Sequence, residues 1–128
     1  MASTTIPGAI RPLVLLVEDD VSLRRALAFS LQIEGYRVEV CESGEALLMR
    51  PPPVRPACLV VDQRLSGITG LDALAVLRGR RVSLPAILIT TQPTTAIRRR
   101  AAVIGVRIVE KPLLDAELFA AIAEELAR

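Results

Sequence analysis

The sequence predicts an α/β fold: a three-layer (βα)5 sandwich around a five-stranded parallel sheet in the order 2-1-3-4-5. Five short apolar runs alternate with five segments of helical period along 128 residues. Several of those runs are continuously apolar rather than alternating, as strands covered on both faces are. Hydrophobic residues reach 52% and aromatics only 2%, so Leu, Val, Ile and Ala must fill the core between the layers.

Each element follows from local chemistry. Leu13-Val14-Leu15-Leu16-Val17 is an unbroken apolar run and reads as the first, central strand. Leu23, Leu27 and Leu31 recur every four residues through the first helix, which Gly35 ends. Tyr36 to Cys41 alternates in polarity, the pattern of a strand nearer the sheet edge. Ser43 caps a short helix holding Ala46, Leu47 and Leu48, and Pro51-Pro52-Pro53 then breaks the chain. Leu59-Val60-Val61 forms the third strand, and Leu71, Leu74 and Leu77 mark the third helix. Ala86 to Ile89 is the fourth strand, Thr95 to Val103 the fourth helix, and Val106 to Val109 the fifth strand. Leu118, Phe119, Ile122 and Leu126 stripe the last helix. Right-handed crossovers then give an open, doubly wound sheet of flavodoxin-like type.

Composition narrows the function. One domain is expected over residues 13–128, behind a flexible tail at 1–12 that lacks the apolar segment of a signal peptide. No apolar run approaches the roughly 20 residues that cross a bilayer, so no membrane contact and a cytoplasmic location are expected. The net charge of +2 is too mild for direct nucleic-acid binding. Cys41 and Cys58 make no disulfide framework. They fall on strands that the first strand separates by roughly 10 Å, beyond bridging distance. The absence of histidine removes most metal, general-base and triad chemistry.

In an open α/β sheet, ligands bind outside the carboxyl ends of the strands. Here those ends carry Glu18-Asp19-Asp20, Asp62, Thr90-Thr91 and Glu110-Lys111. Neighbouring carboxylates repel one another unless a cation joins them, and hard oxygen donors without imidazole or thiolate suit Mg²⁺ or Mn²⁺. Lys111 is the only lysine beside fifteen arginines. An ammonium is a compact point charge on a flexible stem, suited to one anionic group in a small pocket.

The order of these residues resembles the receiver domain of two-component response regulators, the CheY-like superfamily. The elements are Leu-Val-Glu-Asp-Asp at 16–20, Leu-Val-Val-Asp at 59–62 followed by Gly67 and Gly70, Leu-Pro-Ala-Ile-Leu-Ile-Thr at 84–90, and Glu-Lys-Pro at 110–112. The resemblance runs from about Leu13 to Leu126. It implies that Asp62 accepts a phosphoryl group from a sensor histidine kinase. It also implies that Asp19, Asp62 and the backbone carbonyl of Arg64 ligate Mg²⁺, with Glu18 acting through water. Thr90 would donate its hydroxyl to the phosphoryl group, and Lys111 would pair first with Asp62 and then with that group. The resemblance thus implies a signalling switch and not an enzyme. A haloacid-dehalogenase-type phosphatase would need an acid at Arg64, a flavodoxin a non-acidic first loop, and no nucleotide-binding glycine motif occurs.

Three positions depart from the family pattern. Ser66 stands where many members have proline, which predicts a looser loop after Asp62. Thr91 replaces a small residue, and Ile108 an aromatic one. The last two support an alternative, a pseudo-receiver that binds partners without phosphorylation. Arg98-Arg99-Arg100 reads as a solvated helix face. In the family that this chain resembles, the face made by the fourth helix, fifth strand and fifth helix carries dimer or partner contacts, and a homodimer through it is expected. On such a face these arginines would meet Glu117 or Glu124 of a second copy.

Overall fold

A computed structural model describes residues 11–54 and 56–128; most of the expected tail lies outside the described residues. Five strands and five helices alternate strictly: β1 (Leu13–Val17), α1 (Val21–Glu34), β2 (Arg37–Cys41), α2 (Gly44–Met49), β3 (Ala57–Asp62), α3 (Gly70–Gly79), β4 (Ala86–Thr90), α4 (Thr95–Val103), β5 (Arg107–Glu110) and α5 (Asp115–Leu126). The sheet is parallel throughout, in the order β2-β1-β3-β4-β5. Every residue of β1, β3 and β4 is buried, whereas the edge strands β2 and β5 are partly exposed. Continuous and alternating apolar patterns thus sort the strands into central and edge positions, as the physics of two-sided burial requires.

Successive side chains of each central strand face opposite layers. Leu15, Val17, Leu59, Val61 and Leu88 pack with Leu47 of α2, Leu71, Leu74 and Leu77 of α3, and Ala101 of α4. Val14, Leu16, Val60, Ile87 and Ile89 pack on the other side with Leu27 and Leu31 of α1 and Leu118, Ala121 and Ile122 of α5. Cys41 belongs to the first cluster and Cys58 to the second. They lie on opposite sides of β1, level with Val17 and Val14 respectively, and both are free thiols.

Four helices start on side-chain caps. Asp20, Ser43, Thr69 and Thr94 accept from the N–H groups of Leu23, Ala46, Asp72 and Ile97 respectively. Two strands begin one residue later than periodicity predicts, and for the same reason. Gly35 and Gly105 take left-handed φ of 110° and 69°. Tyr36 N–H then bonds back to Leu31 C=O at 3.1 Å, and Val106 N–H to Ala101 C=O at 2.8 Å. These are the closing bonds of Schellman stops, so Tyr36 and Val106 finish helices before the sheet resumes at Arg37 and Arg107. Strand β3 instead starts earlier than the Leu59–Val61 run, because Ala57 and Cys58 pair with Leu13 and Val14.

Candidate functional site

Strands β1 and β3 are neighbours, whereas the helices that follow them, α1 and α3, pack on opposite faces of the sheet. The divergence opens a cleft of about 350 Å³ at their carboxyl ends. Glu18, Asp19, Asp62, Arg64, Ser66 and Lys111 are among its lining residues. Three carboxylates and the single lysine predicted from sequence therefore meet in one place. Thr90 does not line this cleft. It is 6% exposed at the end of β4, and its carbonyl accepts the N–H of Lys111 at 2.9 Å. The β4–β5 ladder thereby carries the chain directly into Lys111, and the Lys111–Pro112 peptide bond is cis.

Asp62 is 4% exposed and uses both carboxylate oxygens. Lys111 Nζ reaches Oδ2 at 3.2 Å, and the Arg64 N–H donates to Oδ1 at 3.3 Å. Glu18, also 4% exposed, accepts the Asp20 N–H at 3.1 Å. Burial pushes its carboxyl up to about 7, and the negative charge of Asp62 adds to the rise. Arg24 of α1 does not neutralise that carboxylate; its Nη1 bonds to the Glu18 backbone carbonyl at 2.9 Å.

Asp19 behaves oppositely. The Ser66 N–H donates to its Oδ2 at 2.9 Å and the Ser66 hydroxyl to the same oxygen at 3.0 Å. The Ser66 main-chain bond is the foremost reason that the Asp19 carboxyl lies below the usual carboxylate range.

The loop after Asp62 is not loose. Gln63 N–H bonds to Ile89 C=O at 2.8 Å, and Gln63 Oε1 accepts the Leu71 N–H at 2.8 Å. Glu45 of α2 accepts the Ile68 N–H at 2.8 Å. These bonds, with those of Ser66 on Asp19, tie the loop to β4, α3, α2 and the end of β1, where the sequence alone predicts a looser loop. Gly70 is required by space: a Cβ there would run into the Asp62 carbonyl group, whose carbon lies 2.9 Å away.

The donor set suits a hydrated hard cation. Among the described residues, no group of three or more His, Cys, Asp or Glu side chains is arranged to enclose an ion. Magnesium rarely asks for one, since it keeps several waters and takes one or two carboxylates plus a phosphate oxygen. Asp19 and Asp62 with the Arg64 carbonyl would provide that partial set.

The arginine run finds partners inside the chain. Arg98 pairs with Glu110 at 3.3 Å and Arg100 with Asp72 at 2.7 Å. Glu124, a candidate acid for a second copy, pairs with Arg107 of its own chain at 2.6 Å. Thr91 is exposed beyond β4, and Ile108 is half-buried against the cluster on the α2–α4 side. Among the described residues, no helix is long and apolar enough to cross a membrane.

Sequence reasoning missed Ser66 and Glu45 as holders of the site. The signal for Ser66 was present, because a serine in place of a proline restores an N–H donor and adds a hydroxyl. Glu45 lies 23 residues from the backbone it binds, and no local pattern marks it.

The family profile for the response regulator receiver domain matches residues 14–123. The chain is 34% identical over 110 residues to transcriptional regulatory protein FixJ of Rhizobium meliloti (strain 1021), covering 85% of this chain and 54% of that protein. It is 34% identical over 122 residues to nodulation protein W of Bradyrhizobium diazoefficiens, covering 94% of this chain and 54% of that protein. The chain thus spans about half the length of the curated relatives it matches. The crystal structure of FixJ-N superposes with a TM-score of 0.84 at 30% identity, covering 94% of this chain and 97% of that one.

Proposed function

The chain belongs to the response regulator receiver family of two-component systems, and we propose on that basis that it is a Mg²⁺-dependent phosphoryl switch centred on Asp62. Receiver domains are signalling switches rather than enzymes. One observation carries the finer reading: buried Asp62 is held by Lys111 within a cleft that Glu18 and Asp19 share. An isolated turn aspartate would be solvated and would have no reason to meet the one lysine.

In the proposed step, an Asp62 carboxylate oxygen attacks the phosphorus of a phosphohistidine on a sensor histidine kinase. An O–P bond forms as the P–N bond breaks, and the kinase imidazole leaves. Asp19, Asp62 and the Arg64 carbonyl would hold a Mg²⁺ (or Mn²⁺), with Glu18 acting through water, and the ion would supply charge neutralisation for the transferring group. Lys111 passes from the carboxylate to the phosphoryl oxygens and balances the charge gathering there. Thr90 supplies its hydroxyl to the phosphoryl group, from the strand end whose carbonyl already fixes Lys111. The setting would be cytoplasmic, where such a kinase presents its phosphohistidine. Relatives named as transcriptional regulatory proteins support a transcriptional output, with no direct nucleic-acid contact by this domain. A second copy would meet this one across α4, β5 and α5, using the arginine and acid side chains left accessible there.

The test is intact-mass spectrometry after incubation with a small acyl-phosphate donor and MgCl₂. The expected result is a gain of one phosphoryl group, lost in Asp62→Asn and in EDTA. A folded wild type that gains nothing refutes the proposal. The second reading, a pseudo-receiver, is favoured by Ile108 packed where the family carries an aromatic residue. Partner binding that is indifferent to Asp62→Asn would decide for it.

A further inference from the structure

We propose that Ser66 is a positioning residue of the cation site, orienting Asp19 by two hydrogen bonds to one carboxylate oxygen so that the other is presented to the metal. The inference rests on the proposed metal-binding role of Asp19. Its basis is the pair of bonds from Ser66, N–H at 2.9 Å and Oγ–H at 3.0 Å, both to Asp19 Oδ2 and neither to Oδ1. An ionised carboxylate offers about four lone-pair sites on its two oxygens. Two donors on Oδ2 use that oxygen's share and restrain the plane of the group, and neither is spent on Oδ1, the oxygen that a cation would take. Metal-ligating carboxylates are generally oriented in this way by partners outside the coordination sphere.

The donor is itself rigidly placed, although Ser66 is exposed and 47 residues from Asp19 in sequence. The segment between Asp62 and α3 is tied to the sheet through Gln63 N–H on Ile89. It is tied to α3 through Gln63 Oε1 on Leu71, and to α2 through Glu45 on Ile68. Preorganisation of this kind lets two ordinary hydrogen bonds set the orientation of the Asp19 carboxylate. A proline at position 66 has neither the N–H nor the hydroxyl, so this arrangement belongs to the serine.

Three variants separate orientation from mere loop structure. Ser66→Ala removes one bond, Ser66→Pro removes both, and Ser66→Thr keeps both donors. Magnesium chloride titration of ¹⁵N-labelled protein, followed by NMR shifts of the cleft amides, reads the affinity. Ser66→Ala should weaken Mg²⁺ binding about tenfold, Ser66→Pro should weaken it further, and Ser66→Thr should stay close to wild type. Unchanged or tighter binding in Ser66→Ala, with a normal wild-type isotherm, overturns the assignment of Ser66 alone. Loss in Ser66→Thr equal to that in Ser66→Ala also overturns it, since the hydroxyl would then be irrelevant. A wild type that binds no Mg²⁺, or binds it undiminished in Asp19→Asn, overturns the metal site and the Ser66 assignment with it.

Discussion

Raising the pH of the metal-free protein from 4.5 to 7 should lower its folding stability, and Glu18 is the cause. The carboxyl has an ordinary value of 4.5 and is pushed up to about 7 in the folded state, first by burial and then by the charge of Asp62. Between these two values the folded protein holds a proton that the unfolded chain has released. Stability from this group is therefore complete below pH 4.5, falls as pH rises, and is gone once pH passes about 7. At about 1.4 kcal/mol per pH unit, the interval from 4.5 to about 7 corresponds to about 3–4 kcal/mol. Water entering the open cleft relaxes part of the burial cost, which makes that figure an upper bound. Asp19 acts in another window: its lowered value contributes stability above 3.8 that is lost on acidification below it. The combined contribution of these two groups to stability is greatest near pH 4.5.

The assay is urea unfolding in EDTA, followed by far-ultraviolet circular dichroism, because the chain has no tryptophan and one tyrosine. Glu18→Gln keeps the shape and removes the charge, so its stability should stay level across the same interval and exceed wild type at pH 7. Excess MgCl₂ should remove most of the wild-type fall. Metal-free stability that is flat or rises from pH 4.5 to 7 refutes the reasoning. A fall of the same size in Glu18→Gln assigns the effect to another group and refutes it equally.

Two further outcomes follow from the geometry. Gly70→Ala should cost about 1–3 kcal/mol in the same unfolding assay, because the added methyl meets the Asp62 carbonyl group and backbone must shift to admit it; wild-type stability would refute the close contact. Lys111→Ala should keep its circular dichroism spectrum and its Mg²⁺-induced NMR shifts but lose phosphorylation-dependent output in a reconstituted kinase system; undiminished output would favour the pseudo-receiver reading.

Most of the fold was legible because burial writes itself into apolar pattern. The unbroken runs at Leu13, Leu59 and Ala86 became the central strands, and the alternating segment ending at Cys41 became an edge. Two of the boundary errors came where two elements share a residue. Tyr36 and Val106 are apolar and adjoin strands, yet their N–H groups close the preceding helices, which depends on the left-handed glycines before them. The cleft was legible because a parallel sheet brings the ends of its strands together, whatever their separation in sequence. Its supports were not. Ser66 and Glu45 act through backbone and side-chain bonds across 47 and 23 residues, and neither has a periodic signature. A residue-type comparison read Ser66 as the loss of a proline's rigidity; the structure makes it the gain of two donors.

On the proposed reading, a proton and a divalent cation are alternatives in the same cleft. Glu18 and Asp62 are both almost fully buried, Asp19 stands beside them, and one ammonium faces the group. Lys111 offsets one negative charge, and its ion pair is spent on Asp62. Arg24 spends its bond on the Glu18 backbone carbonyl and not on its carboxylate. The remaining charge has two ways out. Glu18 takes a proton, which the rise to about 7 expresses, or a cation enters and lets every carboxylate ionise. The second way also positions positive charge where a phosphoryl group on Asp62 would bring more negative charge, whereas a proton on Glu18 does not. A buried acidic group that was only structural would gain nothing from a cleft open to solvent; one that must admit a cation and a phosphoryl group requires it.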